Sequence, residues 1–401
     1  MPFPNLMAAS SSTGDSTLLL FALVLLLSVL VSQFANRSVL STAVVFLVAG
    51  FICGPGVTGA LRLSPDQPIV SGFIELALFS VLYTDGMRVG IRDLTSAWKL
   101  PGRALLFGLP LTLVAVGVVA KFLLGLSWTE AAVIGAVLSP TDPVFAAAIV
   151  GREEVPYRLR HLLNVESGLN DGLALPLVLI ALGIAGKAEL ELATMLTELG
   201  VGVAIGVVVP WIAIRLESTR VFASSEPYRP LLGFAIGLTV LALTRMFHAN
   251  EFLAAFAAGM TIATKDEKLR ERFHELGELL AELFKLAALL IFGALIDPSY
   301  FGEIGLTGWT FVFLTLVLAR PLAMLVSFAG TDLTKREWVA AAWFGPKGFA
   351  SVFFAFLVLQ HHLDHGVWIF HLLAVTVGTS IIAHSSTDVI VARWFDEEEA
   401  Q

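Results

Sequence analysis

The sequence predicts an all-α membrane protein with 13 transmembrane helices, built as two inverted six-helix repeats in which discontinuous spans five and twelve cross. Three observations carry this prediction. Hydrophobic residues make up 57% of the chain and charged residues only 14%, and long apolar runs recur from end to end. Lys and Arg concentrate in alternate loops. Two apolar runs, seven spans apart, are each interrupted by Gly and Pro around a charged residue.

Apolar runs bounded by charged residues, glycine or proline set the limits of the predicted spans. Most of these runs are long enough to cross a hydrocarbon core about 30 Å thick as a helix. The connecting loops are short, so no separate soluble domain is expected. The predicted spans cover residues 17–35, 39–54, 68–88, 104–121, 130–150, 161–184, 191–214, 229–246, 251–264, 279–297, 306–328, 337–359 and 367–391.

The chain 1–401 is therefore expected to form a single membrane unit. Residues 17–184 would be the first inverted repeat and 229–391 the second, with a linker helix at 191–214 and a short acidic cytoplasmic tail at 392–401. Because the halves are offset by an odd number of spans, their orientations in the membrane are opposite, as inverted repeats require.

Basic residues are divided unequally between the two sides that this span count defines. Eighteen Lys and Arg residues fall in loops on one side and four on the other. Since basic loops stay in the cytoplasm, we expect a multi-pass protein of the cell membrane with its N-terminus outside and its C-terminus cytoplasmic. The net charge of −8 indicates no nucleic-acid partner, and membrane lipid is the expected surrounding.

Charged side chains inside the predicted spans are the strongest functional signal. Asp142, Glu166, Asp171, Arg320 and Lys347 would together be unfavourable by about 12–18 kcal/mol if they were ionised and unpaired near the bilayer centre. Such residues normally face the protein interior or a water-filled cavity and mark an ion or substrate pathway. We therefore expect these five to cluster at a functional site.

The sixth span carries four of the polar groups in the stretch "LLNVESGLNDGLALPLVLI". At about 100° per residue, Glu166, Ser167, Asn170 and Asp171 share one face of a helix. If Arg320 balances Glu166 and Lys347 lies near Asp142, Asp171 is the carboxylate left without an evident partner.

Two spans are predicted to unwind near mid-membrane. Span five contains "SPTDP", with Thr141 and Asp142 between two prolines, and span twelve contains "FGPKG" around Lys347. Proline removes a helical donor and glycine relaxes the backbone, so both helices should break there. Broken helices at matching positions of two halves indicate a transporter whose binding site lies where the breaks meet. Pro110 in span four and Pro321 in span eleven match at the same offset.

The oxygen atoms gathered there suit a small alkali cation. Asp171, Thr141 and Ser167 could hold Na⁺ together with backbone carbonyls of the unwound segments and water. A carboxyl group has a pKa of about 3.9 in water, and burial in general raises it, which brings protons and cations into competition near neutral pH. A transport protein whose binding carboxylate holds either ion but never both would exchange one for the other.

At these residues the chain resembles the monovalent cation/proton antiporters, and within them the NhaP-type branch that includes the animal sodium/proton exchangers. The matching motifs are "SPTDP", "ESGLNDG", "LARPLAMLVSF" and "FGPKGFASVFFAF", and in order and spacing they cover most of the chain. The resemblance implies thirteen helices, a homodimer, and a mobile core domain with two crossed broken helices.

The resemblance also implies a role for each site residue. Asp171 would bind the cation and the proton, with Asn170 as its neighbour in an Asn-Asp pair, an order that marks electroneutral exchange in the family. Arg320 looks like the family arginine that pairs with a glutamate. Lys347 stands where animal exchangers usually have arginine. The further site groups implied are Thr141, Asp142, Glu166 and Ser167.

We therefore expect a secondary antiporter of Na⁺ or Li⁺ against H⁺, with no cofactor besides the transported ions. The alternative is a K⁺/H⁺ antiporter with the same site, and a cation channel of the same fold is less favoured. An enzyme is not expected, since the sequence lacks the HExxH metalloprotease motif, and "GIAGKAE" lacks the spacing of a nucleotide-binding loop.

Several polar residues have two possible interpretations. The loop motif "HHLDH", with His361, His362, Asp364 and His365, resembles a metal-binding or pH-sensing cluster, but we favour a solvated turn on the outer side. Glu75 and Asp85 on span three reach either the site or only its rim. Lys285 is expected to pair with Glu282 on its own helix. Gly202 and Gly206 form a GxxxG motif, a weak signal of close helix packing.

Overall fold

All regular structure described in the chain is helical. A computed structural model describes residues 18–30, 42–65, 67–88, 99–142, 155–186, 192–219, 221–361 and 363–396. In this part of the chain, seven helices are each long and apolar enough to cross a membrane. The prediction of an all-helical, multi-pass membrane protein is thus confirmed, whereas the thirteen-span count and the inverted repeats stay predictions.

The helices follow one another with short connections, and we number them in chain order. The first are α1 (Leu18–Leu30), α2 (Thr42–Cys53), α3 (Pro68–Arg88), α4 (Lys99–Leu124), α5 (Trp128–Val137), α6 (Tyr157–Ala185) and α7 (Leu192–Glu217). The others are α8 (Arg229–Met246), α9 (Glu251–Lys265), α10 (Glu267–Leu295), α11 (Gly305–Ser327), α12 (Lys335–Trp343), α13 (Phe349–Gln360) and α14 (Gly366–Asp396).

Helix α10 begins at Glu267, although the tenth span is predicted to begin only at residue 279. Asp266 caps the helix by accepting a hydrogen bond of 3.0 Å from the Leu269 N–H. The early turns are amphipathic, and Leu269 and Phe273 are buried in the core. Hydropathy detects only the apolar part of such a helix, which is why the helix begins before the predicted span does.

The helices pack as two groups. The first group consists of α2, α3, α7, α8, α9 and α10, and the second of α4, α5, α6 and α11 to α14. Within the first group, Gly202 and Gly206 of α7 face the carbonyls of the N-cap residue of α9 and of Ala254 so closely that a side chain would collide, as the GxxxG motif predicts. The groups meet where α6 packs on α3 and α9, and where α13 packs on α3 and α10.

Helices α4 and α11 each contain a five-residue π-helical turn, at Ala104–Gly108 and Thr315–Ala319. Each turn lies just before a proline, Pro110 or Pro321. A proline ring clashes with the carbonyl four residues earlier, and the wider π turn relieves this clash. The two turns therefore lie at the positions that the sequence pairs between the predicted repeats.

The described residues at both predicted interruptions are non-helical. Helix α5 ends at Val137, and the chain is non-helical up to Asp142; the rest of span five lies outside the described residues. Helix α12 ends at Trp343 and α13 begins at Phe349, so the FGPKG motif separates two helices. Pro140 and Pro346 lie in these non-helical segments, where they need no helical hydrogen bond.

Candidate functional site

The polar face predicted for the sixth span is buried in the protein interior. On α6, Glu166, Ser167, Asn170 and Asp171 are each at most 5% exposed. Less than two turns of one helix thus hold two carboxyl groups, an amide and a hydroxyl away from lipid. Each of them needs a polar partner or an ion, because burial of an unpaired polar group is unfavourable.

Glu166 has its partner in Arg320. The two Arg320 Nη atoms donate to the two Glu166 carboxylate oxygens at 2.7 and 3.0 Å, and the guanidinium also donates to the Ala341 carbonyl at 3.2 and 3.3 Å. Arg320 is the first residue after the π turn of α11. This fork-to-fork pair neutralises both charges, as the sequence predicted.

The two interrupted segments meet directly. The Asp142 N–H donates to the Pro346 carbonyl at 3.0 Å, and the Asp142 carboxylate accepts the Phe349 N–H at 3.2 Å. From the other side, the Lys347 ammonium donates to the Pro140 carbonyl at 3.5 Å. The carboxylate therefore lies at the positive N-terminal end of α13, and the ammonium lies just beyond the negative C-terminal end of α5.

Glycine is required where these segments touch. A Cβ atom on Gly348 would overlap the Asp142 side chain, and one on Gly345 would overlap the Arg320 guanidinium. The FGPKG motif thus serves two purposes, since it breaks the helix and admits two charged side chains against the bare backbone.

Three uncharged groups connect the first break to α6. The Asn170 amide donates to the Thr141 hydroxyl at 2.7 Å, and that hydroxyl lies 3.3 Å from the Ser167 hydroxyl. The Asn170 Oδ1 atom is buried and accepts no hydrogen bond from any described residue. Together these contacts fix the Thr141 hydroxyl against the polar face of α6 that carries Asp171.

A cavity of about 40 Å³ opens beside this cluster, at the junction of the two helix groups. Asp142, Ser167 and Asp171 line it from the second group, and Asp85 and Lys285 line it from the first. The volume is enough for water or a partly hydrated small ion. The Asp171 carboxyl group makes no hydrogen bond or ion pair to any described residue, in contrast to that of Glu166.

Asp85 lines the cavity. From the sequence alone, it could reach either the site or only its rim. It lies on α3, and Arg88 bridges it to Glu278 at 3.0 and 3.1 Å. Lys285 pairs with Glu282 at 2.5 Å, as predicted. An acidic residue within an apolar span was the available signal for Asp85, but its position depends on how α3 packs against α6.

The other polar residues considered in the sequence, Glu75 and the described residues of the HHLDH motif, do not line the cavity. Glu75 contacts Arg245 at 3.4 Å, away from the cavity. In the HHLDH loop, His365 Nδ1 lies 2.8 Å from a Glu130 carboxylate oxygen and His361 Nδ1 lies 2.8 Å from the Leu357 carbonyl, while His362 is outside the described residues. No group of three or more potential metal ligands from His, Cys, Asp and Glu occurs in the described part.

Comparisons with known proteins show which proteins the chain is similar to. The chain is 24% identical to the K(+)/H(+) antiporter NhaP2 of Shewanella sp. (strain MR-4) over 387 residues, which are 94% of this chain and 67% of that protein. It is 28% identical to the Na(+)/H(+) antiporter 2 of Zygosaccharomyces rouxii over 267 residues, 60% of this chain and 33% of that one. These relatives are transporters and not enzymes.

The fold is that of a solved antiporter. The structure of the sodium proton antiporter MjNhaP1 from Methanocaldococcus jannaschii superposes with a TM-score of 0.78, at 19% identity, over 95% of this chain and 99% of that one. The family model described as "Sodium/hydrogen exchanger, transmembrane" matches residues 19–393. The chain therefore belongs to the sodium/hydrogen exchanger family of transmembrane cation/proton antiporters.

Proposed function

We propose that the chain exchanges Na⁺ or Li⁺ for H⁺ through competition of the two ions for Asp171. The observation that carries this proposal is the contrast within α6: Glu166 is neutralised by Arg320, whereas Asp171 borders a water-sized cavity without a bonded partner among the described residues. Burial favours the protonated form of a carboxyl group, and a cation in the cavity favours the ionised form. One carboxylate can satisfy only one of these ions at a time.

The cation would be held by oxygens already in place. Asp171, Thr141 and Ser167 supply hard oxygen ligands, with Asp142 and Asp85 adding negative charge around the cavity. The hydrogen bond from Asn170 positions the Thr141 hydroxyl. Lys347 and Arg320 offset the charges of the carboxylates that are not exchanged. Each crossing then carries a neutral site, which supports electroneutral 1:1 exchange.

Alternating access would follow from the position of the site. The cavity lies between the two helix groups, and a shift of one group against the other would open it to the opposite side. Arg88 at its rim is the last residue of α3, at an end that the distribution of basic residues assigns to the cytoplasm. We propose that the cell membrane holds the chain with its N-terminus outside, as a homodimer that associates through exposed apolar faces such as that of α7.

Asp171→Asn is the direct test of the binding residue. In proteoliposomes, a pH gradient should no longer drive Na⁺ uptake by this variant, because an amide cannot exchange a proton for a cation. Asp266→Asn is the matched control: it makes the same chemical change at the cap of α10, where asparagine also caps well, and should exchange normally. Retained exchange by Asp171→Asn would reject the assignment.

Potassium is the second candidate cation, since NhaP2 relatives carry the name K(+)/H(+) antiporter. Exchange should be measured with Na⁺, Li⁺ and K⁺ in turn, with and without a clamp on the membrane potential. Electroneutral exchange predicts equal initial rates with and without the clamp for every transported ion. A rate that follows the potential would contradict the charge balance proposed for Glu166, Arg320 and Lys347.

A further inference from the structure

The two helices that lead into the breaks begin with the same motif. At α5, the Ser127 hydroxyl accepts the Glu130 N–H at 3.2 Å, and the Glu130 carboxylate accepts the Ser127 N–H at 3.1 Å. At α12, Thr334 and Glu337 make the same reciprocal pair at 3.3 and 2.8 Å. Both are capping boxes, and both glutamates are buried.

Each capping glutamate also binds a basic side chain from a distant part of the chain. Arg158, at the start of α6, binds both carboxylate oxygens of Glu337, one of them at 2.5 Å from its Nε. His365, directly before α14, places its Nδ1 2.8 Å from Glu130. We call these contacts the arginine clasp (Arg158–Glu337) and the histidine clasp (His365–Glu130).

The two clasps correspond to each other under the proposed inverted repeat. Helix α6 follows the first break, and α14 follows the helix pair α12 and α13 that holds the second. The arginine clasp joins the start of α12 to the start of α6, which follows the first break. The histidine clasp joins the start of α5 to the start of α14, which follows the second break. In the predicted topology they lie on opposite sides of the membrane, with the arginine clasp inside and the histidine clasp outside.

The clasps differ in one chemical respect. Arginine keeps its charge at every physiological pH, whereas histidine ordinarily gains or loses its proton between pH 5 and 8. The His365 side chain is 61% exposed to the solution, while that of Glu130 is 8% exposed. We propose that the histidine clasp is a second proton-binding site, separate from Asp171, that fastens the start of α5 to α14 when the outer solution is acidic.

Several other charged or titratable groups described at this end of the molecule have contacts of their own. Lys121 donates to the Leu126 carbonyl at 2.9 Å, and His361 contacts the Leu357 carbonyl. His371 and Glu303 pair at 2.7 Å, and Asp364 has its own interaction. Protonation of His365 therefore adds a charge next to Glu130, which is held otherwise by Ser127.

The experiment uses thermal unfolding of the purified full chain in detergent between pH 5.5 and 8.5. His365→Arg gives the clasp a permanent charge and His365→Gln gives it none. We compare the unfolding midpoint temperature of the wild type with that of His365→Arg at each pH. The wild-type value should fall relative to the variant as the pH rises, by on the order of 1–3 °C. The difference between the midpoint temperatures of His365→Arg and His365→Gln should not change with pH, and His365→Arg should be the more stable variant.

Arg158→Gln is the matched control at the other clasp. Its midpoint should lie below the wild type by an amount that does not depend on pH, because arginine does not titrate in this range. If the wild type and His365→Arg change in parallel with pH, the proposal is overturned, even if His365→Gln fails to fold. The readout needs no transport, so it stands apart from the test of Asp171.

Discussion

Two carboxylates five residues apart on α6 have opposite surroundings. Glu166 is fixed by a two-pronged ion pair to Arg320, and Asp171 faces a cavity at the boundary between the helix groups. The helical repeat alone predicts that both point inward. Their different roles depend on Arg320, which comes from a helix 154 positions later in the chain.

The Glu166–Arg320 pair is expected to be structural. Arg320→Gln alone should destabilise the protein by about 3–5 kcal/mol, because it leaves Glu166 buried without its cation. The double variant Glu166→Gln/Arg320→Gln should recover a large part of that loss. Thermal unfolding of the single and double variants in detergent measures the coupling, and losses that simply add would show that the two side chains do not depend on each other.

At the scale of single elements, the crossing of the breaks depends on bare backbone. Gly348→Ala should abolish exchange and destabilise the fold by roughly 1–3 kcal/mol, because the new methyl group occupies the space of the Asp142 side chain. Gly378→Ala on α14 is the control, since nothing lies within 4 Å of a Cβ atom there. Its exchange rate in proteoliposomes should equal that of the wild type; normal exchange by Gly348→Ala would contradict the contact.

The elements also show how far sequence reasoning extends. The breaks around Asp142 and Lys347 were predictable, because proline and glycine act on the local backbone. The π turns before Pro110 and Pro321 were not predictable. They depend on how the helix accommodates the clash between the proline ring and the carbonyl of the preceding turn. Asp85 was left undecided for a tertiary reason: its distance from Asp171 depends on the packing of α3 against α6.

For the molecule as a whole, competition at one carboxylate predicts a definite pH dependence. The cation concentration that gives half-maximal exchange should rise about tenfold for each unit of pH decrease in the acidic range, since each proton bound excludes a cation. It should level off at alkaline pH, where the site is free of protons. Initial rates in proteoliposomes at matched pH on both sides test this, and a half-maximal concentration independent of pH would argue for separate sites.

The contacts between the two helix groups differ in kind from the contacts within each group. The ion pair Arg88–Glu278 joins partners within the first group, and Arg320–Glu166 joins partners within the second. Across the boundary, aromatic rings meet instead: Phe252 lies 4.8 Å from Phe353, and Phe292 lies 6.2 Å from Phe356. Such contacts have little directional preference compared with salt bridges. The aromatic contacts at this boundary can be remade in a shifted position, as the proposed movement of one group against the other would require.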